Sequence, residues 1–167
     1  MSLTAAHSRT ISGPITLLAL LGWVLLSYAA ALPGVWFPPD DWYAHLVKPS
    51  WNPPNWLFGP VWSVLYLLMG ISAWMVWRKD GFARAGGALT LFLAQLGLNA
   101  LWTPVFFGMH RTDLALFVIV TLLIMIAATR KAFRRHDRLA AWLLVPYLLW
   151  VGFATALNAA LWRMNAF

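Results

Sequence analysis

Apolar residues in this chain fall in long, nearly uninterrupted runs, not in the short alternations of a soluble fold. Five runs approach the roughly 20 residues that a helix needs to cross the hydrocarbon core of a bilayer. They cover about 14–32, 55–77, 86–107, 113–129 and 139–161. The polar punctuation is brief: Arg78-Lys79-Asp80-Gly81, then Gly108-Met109-His110-Arg111, then Arg130 to Arg138. One connection differs. Residues 33–54 hold six prolines, three tryptophans and two adjacent aspartates, too apolar for a solvated spacer and too rich in proline for a long helix. The pattern predicts an all-α integral membrane protein: one domain over 1–167, built as a five-transmembrane-helix bundle with 33–54 as a lid loop.

The lid loop has its own grammar. Asp40 follows Pro38-Pro39 and is placed to cap a short helix over 41–47, with Asp41 near the positive end of its dipole. Pro49 disfavours helical geometry at Lys48 and ends that helix. Pro53-Pro54 then launches the second span, since proline is tolerated in a first helical turn. Trp42, Tyr43 and Trp51 therefore hang from stiff backbone, either as interfacial anchors or as the inner surface of a cover. The first span also admits a second reading. Arg9, the apolar run 15–26 and Ala29-Ala30-Ala31 fit a cleaved signal peptide. Cleavage would leave the loop with nothing to connect, so a retained helix is the preferred expectation.

Composition agrees with lipid as the solvent. The chain is 62% hydrophobic and 10% charged, with a mean hydropathy of +0.71, against about 25% charged residues in a soluble domain. The +7 charge would suit nucleic acid, but its distribution does not. Nine of the twelve Lys/Arg lie in the N-terminus and the second and fourth connections: Arg9; Arg78, Lys79, Arg84; Arg130, Lys131, Arg134, Arg135, Arg138. Only Lys48, Arg111 and Arg163 lie opposite. That is a membrane-topology signal, so no nucleic-acid partner is expected. In a bacterial inner membrane it puts the N-terminus in the cytoplasm and the lid outside.

Candidate chemistry is narrowed by what is missing. The chain has no cysteine, which excludes disulfides and thiolate metal sites. Its five acids, Asp40, Asp41, Asp80, Asp113 and Asp137, all fall at loops or span ends. A proton-coupled pump needs ionisable groups inside its spans. The four histidines show no metal-ligand spacing, and no nucleophile triad or phosphate loop is present, so no metal and no catalytic residue are assigned.

The helix faces carry more. In the third span Gly87, Thr90, Ala94 and Gly97 share one small-residue face suited to close contact with another helix or subunit. A quarter turn away run Gln95, Asn99, Trp102 and Phe106. The fifth span aligns Tyr147, Trp150, Ala154 and Asn158, with a small residue among large ones; the second aligns Trp62, Tyr66, Met69 and Ala73. The amides suit interhelical glue or a binding site, and the aromatic stripes suit a core or a ligand wall. Trp62, Trp102 and Trp150 each lie several residues inside a span, too deep for an interfacial belt. A tryptophan-rich interior with a few amides would suit a large, flat, mostly apolar ligand.

Three stretches, WYAHLVKPSWNPPNWLFGPVWSVLYLLMG, AQLGLNALWTPVFFG and PYLLWVGFATALNAALWRMN, closely resemble signature stretches of one family. It is the tryptophan-rich sensory protein/translocator protein family, also called the peripheral-type benzodiazepine receptor family. They cover the loop and the second, third and fifth spans, about half the chain, in the family's order; the first and fourth spans resemble it only in hydropathy. The resemblance implies a five-helix transmembrane bundle, commonly a homodimer, with a pocket under the first loop. The ligands it implies are porphyrins such as protoporphyrin IX and haem intermediates, sterols, and synthetic isoquinoline carboxamides and benzodiazepines. Carried onto matching positions, the ligand-binding residues would be Tyr43, Trp51, Trp62, Asn99, Trp102, Trp150, Ala154 and Asn158.

One departure bears on sterol. Members that bind cholesterol well carry a tyrosine near the end of the fifth span, whereas Leu157-Asn158-Ala159-Ala160-Leu161-Trp162-Arg163 has none. Porphyrin is therefore the expected ligand, with no required cofactor. The expected function is a receptor or carrier with a sensory or transport role in tetrapyrrole homeostasis. Two alternatives are light- and oxygen-dependent porphyrin degradation, and a sterol-binding or regulatory partner. A homodimer would use the third-span face of Gly87, Ala94 and Gly97. Some bacterial relatives are placed in the outer membrane, the alternative to the inner one.

Overall fold

The computed structural model describes residues 13–165, so Arg9 and the rest of the N-terminal charge signal lie outside it. The described chain is helical: α1 (Gly13–Ala29), α2 (Pro33–Trp36), α3 (Asp41–His45), α4 (Asn55–Thr103), a π-helical turn (Pro104–Gly108), α5 (Thr112–His136), α6 (Arg138–Leu143) and α7 (Val145–Asn165).

Helix α4 decides the architecture. Its 49 residues would extend about 74 Å if straight, more than twice the roughly 30 Å apolar core of a bilayer. Yet Tyr66 Oη lies 2.8 Å from Asn99 Oδ1, 33 residues further on. The reversal occurs at Gly81, with φ 57° and ψ −173°, a conformation essentially restricted to glycine. The expected four-residue break over 78–81 thus shrinks to a single residue. With the limbs 55–80 and 82–103 antiparallel, the chain crosses five times: α1, the two limbs of α4, α5, and the α6–α7 pair. The fold is an all-α five-helix membrane bundle.

The core follows from the apolar faces that meet between these crossings. Met69, Ala73, Val76, Leu89, Phe92, Leu122, Ile126, Phe133, Tyr147 and Val151 are fully or almost fully buried. Helix α1 sits outermost and buries only one narrow stripe, including Trp23 and Ser27. Trp23 meets Phe92 edge-on at 5.9 Å, and the Trp74 indole donates to the Thr16 carbonyl across 3.0 Å. Leu18, Leu25, Val64, Phe117, Ile124 and Leu149 are exposed. In a bilayer that outward apolar coat is the favourable arrangement.

A polar clasp closes the Gly81 end. Asp80 accepts from Arg84 and from His136, each at 2.7 Å, and Ser72 Oγ donates to the Ala140 carbonyl across 2.8 Å. Asp137 caps α6 through the Ala140 N–H. Helix α5 runs on to His136, so most of the basic stretch expected to be a connection is helical. The last crossing breaks between α6 and α7, just before Pro146, whose missing N–H cannot continue the ladder. At the opposite end Pro54 precedes α4 with extended geometry.

Backbone approach is tightest at Gly70. A Cβ there would lie 2.5 Å from Val24 Cα and 2.9 Å from Val24 N, so α1 and α4 touch backbone to backbone. Overpacking a core typically costs about 1–3 kcal/mol. Gly70→Ala is expected to lower the thermal midpoint in detergent by several degrees, while Gly22→Ala, which meets nothing within 4 Å, leaves it unchanged.

Candidate functional site

Helix α7 runs along α5 but its backbone stands off from α4, and the gap between them holds a chamber of about 430 Å³. Both limbs of α4, α7 and the lid contribute its walls. Trp62 comes from the first limb and stacks on Tyr66 at 5.3 Å. Trp102 comes from the second and stacks on Phe106 at 4.8 Å. Trp150 comes from α7 and meets Phe58 edge-on at 5.8 Å. Ala154, one turn on, is the small residue that leaves the space open. None of the lining residues is Asp, Glu, His, Lys or Arg, so the chamber carries no formal charge and offers no ordinary acid–base pair.

The amides in the wall are committed to the fold. Tyr66 Oη donates to Asn99 Oδ1 at 2.8 Å, and Asn99 Nδ2 donates to Tyr147 Oη at 3.1 Å. Tyr147 Oη in turn donates to Gln95 Oε1 at 2.9 Å. Tyr66 and Asn99 form the chamber floor, with Tyr147 and Gln95 behind them, and the chain of bonds joins three crossings. Asn158 does the same higher up: its Oδ1 accepts from Trp102 Nε1 at 3.1 Å, and its Nδ2 donates to the Thr112 carbonyl at 2.8 Å. One wall donor is left over. Trp150 Nε1 is buried with no hydrogen-bond partner.

The lid covers the other end. Asp40 caps α3 by accepting from the Tyr43 N–H at 3.1 Å, and its second oxygen lies 2.9 Å from His110 Nε2. His110 adopts φ 55°, uncommon for a residue with a side chain, and its ring stacks on Trp42 at 4.3 Å. Lys48 Nζ donates to the carbonyls of Tyr43, Ala44 and Leu46, pinning the end of α3. Asn165 pairs with both the N–H and the carbonyl of Val47, at 2.9 and 3.0 Å. Phe37 lies so close to Gly108 that a Cβ there would fall 2.6 Å from its ring. Tyr43, only 8% exposed, points inward against Phe107 at 5.3 Å, and burial pushes its hydroxyl pKa up.

Seven of the eight residues singled out from sequence, Tyr43, Trp62, Asn99, Trp102, Trp150, Ala154 and Asn158, line this one chamber. Trp51 does not. It is 47% exposed and packs edge-on against Phe153 at 5.8 Å, on the outer side of α7. Phe37, Phe58 and Phe107 also line the chamber without having been singled out. Phe58 lies four residues before Trp62 and was within reach of the same periodicity. Phe107 was not, because the π-helical turn after Pro104, with the Met109 N–H bonded to the Pro104 carbonyl, changes the helical phase.

Fold and site together define an integral membrane protein with a lidded, uncharged aromatic chamber inside a five-helix bundle. The chain belongs to the TspO/MBR family, which it matches over residues 14–163. It is 46% identical over 137 residues to a tryptophan-rich sensory protein of Cereibacter sphaeroides, covering 82% of this chain and 85% of that one. It is 45% identical over 140 residues to protein CrtK of Rhodobacter capsulatus, covering 81% and 86%. The human translocator protein is 45% identical over 126 residues, covering 74% and 75%.

The lid has a defined pH response. The Tyr43 N–H is the main cause holding the Asp40 carboxyl below its ordinary value of 3.8, with His110 adding to it and desolvation opposing. A depressed carboxyl stabilises the closed lid fully above the ordinary value and loses that contribution as pH falls through the folded one. The chain has no cysteine, so a nitroxide on Ala44→Cys reports α3 alone. Its mobility is expected to rise as the pH falls below the ordinary carboxyl value of 3.8, whereas Asp40→Asn is mobile at every pH.

Proposed function

We propose that this protein is a membrane receptor or carrier that holds a flat, largely apolar macrocycle of the porphyrin class in the lidded chamber. The observation that carries this reading is the division of labour in the wall. Three tryptophans supply ring surface, both asparagines are committed to neighbouring helices, and Trp150 Nε1 is a buried donor without an acceptor. A chamber of about 430 Å³ falls within the range of sites that enclose drug-sized ligands. A carboxylate or carbonyl on the ligand edge would accept from Trp150, while its faces pack on Trp62 and Trp102. In this arrangement Asn99 and Asn158 shape the site more than they orient the ligand. The relatives' names, a sensory protein and a translocator, support using that binding for signalling or for passage across the bilayer. The Lys/Arg asymmetry supports a bacterial inner membrane with the N-terminus in the cytoplasm.

A second reading rests on the same three tryptophans. Indoles facing a bound photosensitiser are oxidisable, so light- and oxygen-dependent porphyrin breakdown is the alternative. Aerobic illumination that consumes several porphyrins per protein and yields a discrete product would favour it; stoichiometric bleaching would favour binding alone. Sterol binding has weaker support, because the last turns of α7 lack the tyrosine described above.

Self-association through the second limb of α4 belongs to the same proposal. Gly87, Thr90, Ala94 and Gly97 are all exposed on one face, and a Cβ at Gly87 or Gly97 would meet nothing within 4 Å. Gly97→Leu is therefore tolerated within one chain. It is expected to shift a dimer to monomer in light scattering; a dimer that survives would move the interface elsewhere.

Binding is tested by titrating protoporphyrin IX into the purified protein and following tryptophan quenching. Trp150→Phe keeps an aromatic ring but removes the donor, and a hydrogen bond to a charged acceptor is worth about 1.5 kcal/mol or more. Affinity is expected to fall roughly tenfold, with a smaller loss for an esterified porphyrin. Saturable quenching left unchanged by both Trp150→Phe and Trp62→Ala would overturn the site.

A further inference from the structure

The end of α5 and the start of α6 gather Arg130, Lys131, Arg134, Arg135 and Arg138 within nine residues. The one acid among them, Asp137, accepts from the Ala140 N–H at 3.0 Å and faces Lys79 at 3.8 Å. Among the described residues none of these five cations is paired with a carboxylate. A count of charges beside a span sets topology but builds no site. Here a specific geometry accompanies the count. The Arg130 guanidinium lies over the Trp142 ring, 5.6 Å from its centroid, and Arg130 Nε is buried with no acceptor. Trp142 itself is 63% exposed, and Leu139 on the same short helix is also exposed. Arg134 follows Arg130 by one helical turn, on the same face and about 6 Å nearer the helix end.

A guanidinium with an unpartnered N–H, over an exposed indole at the end of a membrane span, is placed to receive an oxyanion. Tryptophan at that level is an interfacial residue, and basic clusters beside spans attract anionic leaflets. We propose that this notch binds the phosphodiester headgroup of an anionic phospholipid. Arg130 and Arg134 hold the phosphate oxygens, and Trp142 lies along the glycerol and upper acyl region. The notch lies at the clasp end, away from the lidded chamber, and does not depend on what that chamber holds.

The test is native mass spectrometry of the full chain, purified in mild detergent with added phosphatidylglycerol or phosphatidylcholine. Wild type is expected to retain one phosphatidylglycerol under conditions that strip phosphatidylcholine. Arg130→Lys keeps the charge but loses the planar Nε–H donor, and is expected to lower that retention about tenfold. Lys131→Gln removes a full charge from the neighbouring exposed position and is expected to change it by less than about twofold. Trp142→Ala, at a position too exposed to threaten folding, is expected to behave like Arg130→Lys. Equal losses in Arg130→Lys and Lys131→Gln would mean a diffuse positive field and overturn the site. So would retention unchanged in both Arg130→Lys and Trp142→Ala, equal retention of phosphatidylcholine, or complete displacement of the lipid by millimolar inorganic phosphate.

Discussion

The amide of Asn99, held between the hydroxyls of Tyr66 and Tyr147, is the contact on which the rest of the bundle depends. It lies inside a membrane-spanning bundle, where an unpaired polar group is costly and a partner within the protein is strongly favoured. By bonding to one residue on each of two other crossings, Asn99 fixes the register of three helices at once. Dispersion alone would hold such helices together without choosing their axial alignment. The network also props the bundle open. Helix α7 is tied to α4 through long polar side chains and not by close backbone packing, and the chamber is the volume left above those ties.

Its two ends differ physically. The floor rests on buried hydrogen bonds between Tyr66, Asn99, Tyr147 and Gln95, with Gln95 Nε2 left without a partner, so opening it would strand several more polar groups in hydrocarbon. The lid is held by Asp40 with His110 and by Asn165 with Val47, all exposed to the surroundings, and exposed pairs contribute little individually. Ring contacts of Trp42 and Tyr43 and the close seat of Phe37 on Gly108 add packing. Local opening is therefore far easier at the lid than at the floor. Ligand exchange through the lid needs no disruption of the helical register.

The crossings were readable from the chain because a bilayer demands long apolar runs and a helix fixes which residues share a face. Those two rules aligned Trp62, Asn99, Trp102, Trp150, Ala154 and Asn158 on faces of their helices; a shared pocket was what the family resemblance implied, and all six line the chamber. The rules could not show that Asn99 and Asn158 spend their amides on distant partners, since those pairings join residues 33 to 56 positions apart. Trp51 was expected in the wall and lies outside it, because proline stiffens a loop without stating which way it turns. Phe107 escaped it because a π-turn breaks the period on which the argument ran. The basic stretch after Thr129 looked like a loop, but arginine and lysine are good helix formers and the helix simply continues to His136.

The turn at Gly81 has a consequence for how the protein is made. A single residue joins the two limbs of α4, so they cannot be threaded into the bilayer as separate events with separate choices of direction. Two crossings are oriented by one decision, and Arg78, Lys79 and Arg84, flanking that residue, bias it together. Moving one of those cations to the far end would act on a hairpin as a whole. The result would be an inverted pair or a pair left out of the bilayer, with the chamber wall lost from both limbs at once.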